Sequence, residues 1–327
     1  MRPIDSLRPF TAAFLALTAL TLACIPADAQ PSWPTRRVRL VVPFGAGSAT
    51  DITARLFADR LQQRWGQPVV VENRPGADSN IAVGAFASQP EDHTLLYSSP
   101  NPITVNPFNY EKLPYDPARD LTPISAGSEI FVVIAVPATL KLDTLADLVA
   151  LAKAQPGKLN WVATPGVVYF MWAGFLKSAG LEMTQVPYRD FTQAVNDLAE
   201  SRIQVTVTSL AVAQPQAQTG KVKLLAAVNA RRMPTMPQVP TVAEAGFKQL
   251  EFAPFGGFFG WRDMPLELRA KIAADIRAVG ADPLIAERLG PAGIGVLTST
   301  PAEFAAAVEG ERAKVAAVAR AIGTKRE

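Results

Sequence analysis

The sequence is poor in the residues that most metal and nucleophilic sites require. Its 327 residues include one cysteine and one histidine. A zinc site with several His or Cys ligands, a Cys-His catalytic pair in the folded core and a disulfide framework all lack the necessary residues. A Ser-His-Asp triad would have to use His93. Binding or chemistry must therefore depend on backbone amides, hydroxyls, carboxylates, arginine or lysine, and we expect no metal and no cofactor.

Charge is also sparse. Charged residues make up 19% of the chain, the formal net charge is +3, and no cluster of Lys or Arg is denser than the pairs at 36–37 and 231–232. With 49% hydrophobic residues, this composition excludes a largely disordered chain, and it does not favour a nucleic-acid partner. The length is typical of two domains with a sizeable buried core.

The N-terminal segment has the pattern of a secretory signal peptide. Arg2 and Arg8 precede an uncharged apolar run at residues 10–22, and an Ala-x-Ala motif ends at Ala29. The apolar run is shorter than the roughly 20 residues that span a bilayer. We predict cleavage after Ala29 and a periplasmic location. Cys24 lies within this segment in a poor context for lipidation, so the mature chain would contain no cysteine.

Strand-like and helix-like segments alternate along the rest of the chain, which predicts an α/β fold with parallel or mixed sheets flanked by helices. Residues 101–123 contain five prolines and predict an extended surface stretch. The last third predicts three helices, at 265–279, 283–289 and 301–321. Strands are expected at 38–42, 69–71, 94–98, 129–136, 159–162, 203–208 and 223–228.

A glycine turn follows the first predicted strand. Gly45 and Gly47 expose backbone N–H groups, and Ser48 with Asp51 forms a capping-box pattern that begins a helix directly after the turn. A helix N-terminus of this kind attracts anions. The segment at 164–167 repeats the arrangement of strand, small-residue turn and helix. Two similar α/β halves would place both turns across one cleft, where they could hold a carboxylate.

A dinucleotide site is the competing interpretation of the same turn. Gly45 and Gly47 match the first two glycines of the G-x-G-x-x-G pattern, and Glu72 ends the second strand, where a ribose-binding acid would stand. Thr50 replaces the third glycine, and an exported protein has little access to nicotinamide cofactors. The alternative of a dinucleotide-binding oxidoreductase stays open at this point, whereas a Walker A loop is excluded because no Gly-Lys-Ser/Thr follows.

Longer sequence blocks resemble the Bug family, the periplasmic substrate-binding receptors of tripartite tricarboxylate transporters. The resemblance spans essentially the whole mature chain, with characteristic blocks at 42–55, 66–77, 112–117, 152–160 and 239–246. It implies a two-lobed periplasmic-binding-protein fold of type II, which closes on its ligand like a Venus flytrap. The ligand of such receptors is usually a carboxylate held by backbone amides of two facing loops and by bridging waters. The receptor passes it to a membrane permease or, in some cases, reports to a sensor kinase.

The departures from the family pattern concern specificity. Ser48 stands where a second adjacent glycine is common, and Thr208 where a ligand-facing Asp is common. The second turn lacks the usual His, and Pro165 has no N–H to donate. With Tyr169 and Phe170 nearby, these changes predict a more apolar pocket, and hence an aromatic or otherwise bulky carboxylate.

The resemblance and the turn patterns together define the expected organisation. One lobe is expected from residues 30–129 plus 229–327 and the other from 130–228, with hinge crossings at 129–136 and 223–228. We expect a monomeric receptor without enzymatic activity. The candidate ligand-binding residues are Phe44, Ala46, Gly47, Ser48, Ala49, Asp51, Ser99, Thr164, Gly166, Val167, Tyr188 and Thr208.

Overall fold

The computed structural model describes residues 33–188, 190–252 and 254–324. The predicted signal segment, with Cys24 and the cleavage after Ala29, lies outside these residues. From Arg36 onward the chain forms one compact unit, and residues 33–35 belong to a separate N-terminal unit.

The described residues form eleven β-strands, and most of them follow the predicted alternation with helices. In chain order they are β1 (Val38–Val42), β2 (Val69–Asn73), β3 (Thr94–Ser98), β4 (Thr122–Ile130), β5 (Val132–Pro137), β6 (Asn160–Ala163), β7 (Thr184–Gln185), β8 (Val205–Ser209), β9 (Val222–Ala227), β10 (Phe255–Gly260) and β11 (Ile294–Val296).

The same residues form eleven α-helices, which pack on the strands. They are α1 (Ala49–Trp65), α2 (Asn80–Ser88), α3 (Asn101–Thr104), α4 (Asn106–Asn109), α5 (Leu145–Ala154), α6 (Val167–Ser178), α7 (Phe191–Ala199), α8 (Leu210–Gln218), α9 (Leu266–Gly280), α10 (Pro283–Leu289) and α11 (Pro301–Ile322).

The strands divide between two mixed sheets, so the α/β fold class and its two lobes agree with the prediction. The six-stranded sheet has the order β11-β4-β10-β3-β1-β2, and the five-stranded sheet has the order β7-β6-β8-β5-β9. Within the first sheet β1 pairs in parallel with β2 and β3, whereas β10 runs antiparallel to β3 and β4. In the second sheet β6 is parallel to β7 and β8. The carboxyl ends of parallel strands in such sheets are where ligands bind.

The chain crosses between the sheets at a position that the sequence did not reveal. Residues 129–136 were expected to form a single strand, but β4 ends at Ile130 in one sheet and β5 begins at Val132 in the other. Ile130 and Val132 on either side of Phe131 are both β-branched and hydrophobic, so hydrophobicity alone gives no sign of the break. The return crossing lies between β9 and β10. The stretch at 101–123 is also more ordered than expected, because it contains α3 and α4 and the start of β4.

Helix α11 packs in both hydrophobic cores. Phe304 and Val308 in its first half lie in a core with Phe259 of the six-stranded sheet. Val315 and Ala319 in its second half lie in the core of the five-stranded sheet. A capping box at Thr300, whose amide donates to the carboxylate three residues later, fixes the start of the helix. The helix therefore connects the two halves of the molecule.

The contact between α11 and β10 of the six-stranded sheet allows this packing to be tested. A Cβ at Gly257 of β10 would lie 2.7 Å from Phe304 Cε2 and 2.8 Å from the Ser125 carbonyl oxygen. We expect Gly257→Ala to lower the free energy of unfolding by about 2 kcal/mol, since an overfilled core forces side chains and backbone apart. Denaturant unfolding measures this. The control is Gly310→Ala on α11, where a Cβ meets nothing within 4 Å; there alanine should stabilise the helix by about 0.5–1 kcal/mol. Equal losses at both positions would contradict the packing.

Candidate functional site

A cavity of about 230 Å³ opens where the strand ends of the two sheets face each other. Phe44 follows β1 and Ser99 follows β3 in the first sheet, while Thr164 follows β6 and Ser209 ends β8 in the second. Its lining residues are Phe44, Ala49, Thr50, Ser99, Pro100, Asn101, Ile130, Val132, Thr164, Pro165, Val167, Val168, Ser209, Pro254, Phe255 and Glu311. Most of these side chains are apolar, and none is an arginine or lysine.

The N-terminus of α1 supplies the first polar group of the cavity. Ser48 caps the helix by accepting a hydrogen bond from the Asp51 amide to its Oγ at 3.2 Å, and its carbonyl accepts from the Ile52 amide. The amides of Ala49 and Thr50, which precede these, meet no acceptor among the described residues. Two open N–H groups and the positive end of the helix dipole therefore lie at the cavity wall.

Asp51 does not line the cavity; its carboxylate lies buried behind the turn and holds the turn through hydrogen bonds. Its buried carboxylate accepts hydrogen bonds from the Gly47 amide at 2.8 Å, from Asn73 Nδ2 at 2.8 Å and from Arg55 Nε at 3.0 Å. Burial alone would raise the pKa of Asp51, but the hydrogen bonds from Arg55, Gly47 and Asn73 outweigh it and lower the pKa below its usual value. The Gly47 amide is thereby occupied within the protein.

Helix α6 supplies a second N-terminus to the same cavity. Gly166, with φ of +89°, is its N-cap and provides no side chain to accept hydrogen bonds. The Tyr169 and Phe170 amides are bonded to the Thr164 and Gly166 carbonyls. The amides of Val167 and Val168 meet no acceptor among the described residues. The two sheets thus contribute matching pairs of open amides.

Hydroxyl and amide side chains surround these helix ends. Ser99 Oγ is buried and has no hydrogen-bond partner among the described residues, an arrangement that is costly unless something binds there. Asn101 presents its side-chain amide so close to Gly166 that a Cβ there would overlap Asn101 Nδ2. The Thr164 hydroxyl donates a hydrogen bond to Thr208 Oγ1 at 3.1 Å and keeps its own lone pairs for a further donor.

Glu311 brings a carboxyl group to the cavity from α11. Its Oε1 accepts a hydrogen bond from Thr104 Oγ1 at 2.7 Å. Burial raises the pKa of Glu311 to about 7, against the opposing effects of the Thr104 hydrogen bond and the Lys314 charge. Glu311 is the single ionisable side chain among the described residues that line the cavity.

The predicted candidates fall into four groups. Five of them line the cavity: Phe44, Ala49, Ser99, Thr164 and Val167. Three form the turn at its rim, namely Ala46, Gly47 and Ser48, and the first two are exposed. Asp51 and Thr208 are buried behind it, each one hydrogen bond from a turn or lining residue.

Gly166 and Tyr188, the remaining candidates, line a neighbouring groove of about 290 Å³ together with Pro165, which both spaces share. The Tyr188 hydroxyl donates a hydrogen bond to Asp197 Oδ2 at 2.7 Å. Burial and this carboxylate raise the pKa of Tyr188 to about 12. The tyrosine predicted to bind ligand is therefore engaged in packing and in a hydrogen bond with α7.

The sequence did not predict most of the apolar residues that line the cavity, nor Glu311. Thr50 and Val168 stand next to predicted residues, and Asn101 lies two positions after predicted Ser99, so these were accessible to local reasoning. Pro254, Phe255 and Glu311 come from distant segments that only the tertiary fold brings to the cavity.

The geometry does not favour the dinucleotide alternative. Both oxygens of Glu72 accept hydrogen bonds from Arg39, at 2.8 and 3.0 Å. The hydrogen bond from Arg39, aided by its charge and by Arg74, holds the pKa of Glu72 below its usual value in spite of burial. The acid that would bind a ribose is thus committed to an ion pair. Within the described residues we find no group of three or more His, Cys, Asp or Glu side chains placed to hold a metal ion.

Two α/β lobes that direct helix N-termini into one cavity define a solute-binding receptor of the periplasmic type. The chain belongs to the family of tripartite tricarboxylate transporter receptors, whose family model matches residues 53–324. A curated relative, a UPF0065 protein of Bordetella bronchiseptica, is 33% identical over 289 residues, which are 85% of this chain and 83% of the relative. Receptors of this family are periplasmic and are not enzymes.

Solved structures agree in fold. Rpa4515 of R. palustris, determined with adipate, has a TM-score of 0.77 and 31% identity, and the match covers 90% of this chain and 100% of that one. MatC of Rhodopseudomonas palustris, determined with bound malate, has a TM-score of 0.71 and 26% identity, with coverage of 88% and 100%. None of the helices in the described part of this chain is both long and apolar enough to cross a membrane.

Proposed function

We propose that this protein is a periplasmic receptor that captures a small carboxylate in the cavity between its two lobes. The observation that carries the proposal is the pair of helix N-termini, at Ala49–Thr50 and Val167–Val168, whose four open amides belong to residues that line one cavity. Carboxylates are among the biological anions that such amides bind well, and the ligands of the related structures are carboxylates.

The absence of arginine and lysine from the described cavity lining fits a receptor that must also release its ligand. One helix terminus contributes about 0.3–1 kcal/mol to anion binding, and up to about 2 kcal/mol when partly buried. Two termini and their amide hydrogen bonds hold a carboxylate firmly without the strong ion pair that would slow its release. The orphaned Ser99 hydroxyl supplies a further donor.

The lining supports a carboxylate with a sizeable apolar body. Phe44, Ile130, Val132 and Phe255 contribute hydrophobic surface to the cavity. Adipate in Rpa4515 and malate in MatC are both small carboxylates. For this chain we propose an aromatic or otherwise bulky carboxylate rather than a small amino diacid.

Ligand binding is proposed to close the two lobes, with the first formed by residues 30–129 plus 229–327 and the second by 130–228. Only a closed state presents both helix termini to one carboxylate, so the ligand stabilises closure by its higher affinity for that state. The close approach of Gly166 to Asn101 supports this state as the one described. The residues named as candidates at the rim, Ala46, Gly47 and Ser48, would order bridging waters.

The partner is proposed to be the permease of a tripartite tricarboxylate transporter, and the receptor is proposed to act as a monomer without enzymatic activity. Export through the predicted signal peptide, with cleavage after Ala29, would bring it to the periplasm.

A ligand screen tests the proposal. In thermal-shift measurements with benzoate, phenylacetate, adipate, malate, citrate and aspartate, we expect the bulkier acids to raise the melting temperature; a ligand at 100 times its Kd adds about 2.7 kcal/mol to stability. Calorimetry then gives the affinity, and small-angle scattering shows whether the particle contracts. If only malate, citrate and aspartate bind, the apolar ligand class is wrong. If no acid binds, or if a nicotinamide cofactor quenches the protein fluorescence instead, the receptor proposal fails.

A further inference from the structure

The cavity that is proposed to bind an anion also contains an acid. Glu311 is the single ionisable side chain among its described lining residues. A carboxylate beside the proposed carboxylate site would repel the ligand unless the two groups contact different parts of it. The position of Glu311 therefore carries information about the rest of the ligand.

Glu311 stands at the junction of the two hydrophobic cores. It lies on α11 between Val308, in the core of the six-stranded sheet, and Val315, in the core of the five-stranded sheet. Among the described residues no backbone amide donates a hydrogen bond to it, so its carboxyl group does not engage the open amides of α1 and α6. Its Oε1 is occupied by the Thr104 hydroxyl, and its Oε2 has no partner within the same part of the chain.

The surroundings of Glu311 offer little to neutralise it. Helix α3 contributes the neutral Thr104 hydroxyl, whereas α6 and β4 contribute apolar Val168 and Ile130 to the same cavity. Lys314, on its own helix, is the one charged group among the described residues that acts on it, and it forms no ion pair with it. Glu129 of β4 is engaged by Arg231.

On α9 and α6, which also pack against α11, three charged groups interact elsewhere or lie away from the cavity. On α9, Asp275 is bonded to Arg64, and Arg277 acts on Glu303. Lys177 lies in the last turn of α6, at the opposite end from the cavity. The unpartnered oxygen is therefore left for a ligand group.

We propose that Glu311 determines the ligand class, favouring a monocarboxylate whose other end bears an ammonium group or another hydrogen-bond donor, and admitting a second carboxylate only when one proton is shared with it. This inference rests on the proposed function, because the first carboxylate occupies the helix termini. A donor on the ligand satisfies the open oxygen of Glu311. Where Glu311 is ionised, a dicarboxylate must instead take up one proton on binding, and that proton lies between the ligand and Glu311.

The proton uptake predicts the direction in which ligand affinity changes with pH. Burial raises the pKa of Glu311 to about 7, so at pH 6 the acid is largely protonated and at pH 8 largely ionised. Affinity for a dicarboxylate should fall by up to about tenfold for each pH unit above 7. Affinity for an ammonium-bearing acid should rise over the same interval, and affinity for a plain monocarboxylate should change much less.

Two matched sets of probes test this. The aromatic set is benzoate, 4-(aminomethyl)benzoate and terephthalate; the straight-chain set is heptanoate, 7-aminoheptanoate and heptanedioate. Within each set the second substituent is neutral, cationic or anionic. Calorimetry at pH 6 and pH 8, in buffers of different ionisation enthalpy, measures both the affinity and the protons taken up.

The variant is Glu311→Gln and its matched control is Glu309→Gln, on the same helix but outside this cavity and paired with Arg312. At pH 8 we expect Glu311→Gln to lower the affinity for the ammonium-bearing acids by at least tenfold and to raise the affinity for the dicarboxylates by about tenfold. The affinity for the plain monocarboxylates should change by less than threefold. It should also abolish the proton uptake. Glu309→Gln should leave all of these unchanged, and thermal unfolding checks that both variants are folded.

The outcomes separate the two proposals. If the plain acids bind but Glu311→Gln changes neither selectivity nor proton uptake, this inference is wrong and the receptor function stands. If no probe of either set binds to the wild-type protein, the carboxylate receptor proposal fails and the role of Glu311 falls with it.

Discussion

Ala49→Pro is expected to weaken carboxylate binding by about 10- to 100-fold while leaving the fold intact. The substitution removes one of the four open amide N–H groups on residues that line the cavity. A hydrogen bond to a charged group contributes about 1.5–3 kcal/mol, and each 1.4 kcal/mol is a factor of ten in affinity. Calorimetry with the best acid from the ligand screen measures the loss.

The helix should tolerate this proline because of its position. Ala49 is the first residue of α1, where proline is favoured and where the missing N–H breaks no bond within the helix. The preceding residue, Ser48, has φ of −68° and ψ of 159°, which is the extended conformation that a residue before proline adopts. The structural change is thereby confined to the amide and its immediate surroundings.

Leu266→Pro is the matched control. Leu266 is the exposed first residue of α9, it follows an extended Pro265, and it does not line the cavity. Both variants should have melting temperatures close to that of the wild type, and only Ala49→Pro should lose affinity. Unchanged affinity in a folded Ala49→Pro protein would mean that the N-terminus of α1 does not contact the ligand.

Asp51→Ala should lower the free energy of unfolding by about 3 kcal/mol at pH 7. The carboxylate is 3% exposed and is the common acceptor for the Gly47 amide, Asn73 and Arg55. Removing it leaves the Asn73 amide and the Gly47 N–H without that acceptor, and such losses around a buried charge are costly. Arg55 is half exposed, so its share of the effect is small.

The effect of Asp51 should depend on pH with a definite sign. Its pKa is lowered in the folded protein, so its contribution to stability is complete above the unfolded value near 4 and is lost as the pH falls through the lower folded value. The difference in stability between the wild type and Asp51→Ala should be constant from pH 7 to about 5. It should shrink below pH 4.

Asp59→Ala provides the comparison on the same helix. Asp59 is 63% exposed, and its change should alter stability by less than about 0.5 kcal/mol. A loss below 1 kcal/mol in Asp51→Ala, or a difference from the wild type that grows in acid, would refute the role assigned to the carboxylate.

Local patterns predicted the first β-α-β unit well. Strand β1 has the predicted bounds, and α1 begins at the predicted Ser48 cap, because alternation, glycine and capping residues act within a few positions. The three C-terminal helices also lie where they were expected. Helix α8 was missed, since Pro215 and its glutamines interrupt the helical pattern; its formation depends on packing against α7 and against strands of the second sheet, β9 among them.

The site was predictable only in part, for a related reason. Small residues directly after a strand predict each of the two turns, and the structure brings both turns to one cavity. Tyr188 carries the right chemistry, but its hydroxyl is held by Asp197, a contact no local pattern encodes. Glu311 sits among alanines and charged residues on a surface-like helix, so nothing near it in the sequence indicates that it reaches the cavity.

The packing of α11 in both hydrophobic cores has a consequence for the order in which the parts of the site are synthesised. Translation delivers both anion-binding turns early, but Glu311 and the residues that join the two cores emerge from the ribosome after all the other walls of the cavity. A nascent chain that ends before residue 301 would have the turns without the helix that holds them together. A chain that lacks this helix should therefore be unable to retain its ligand.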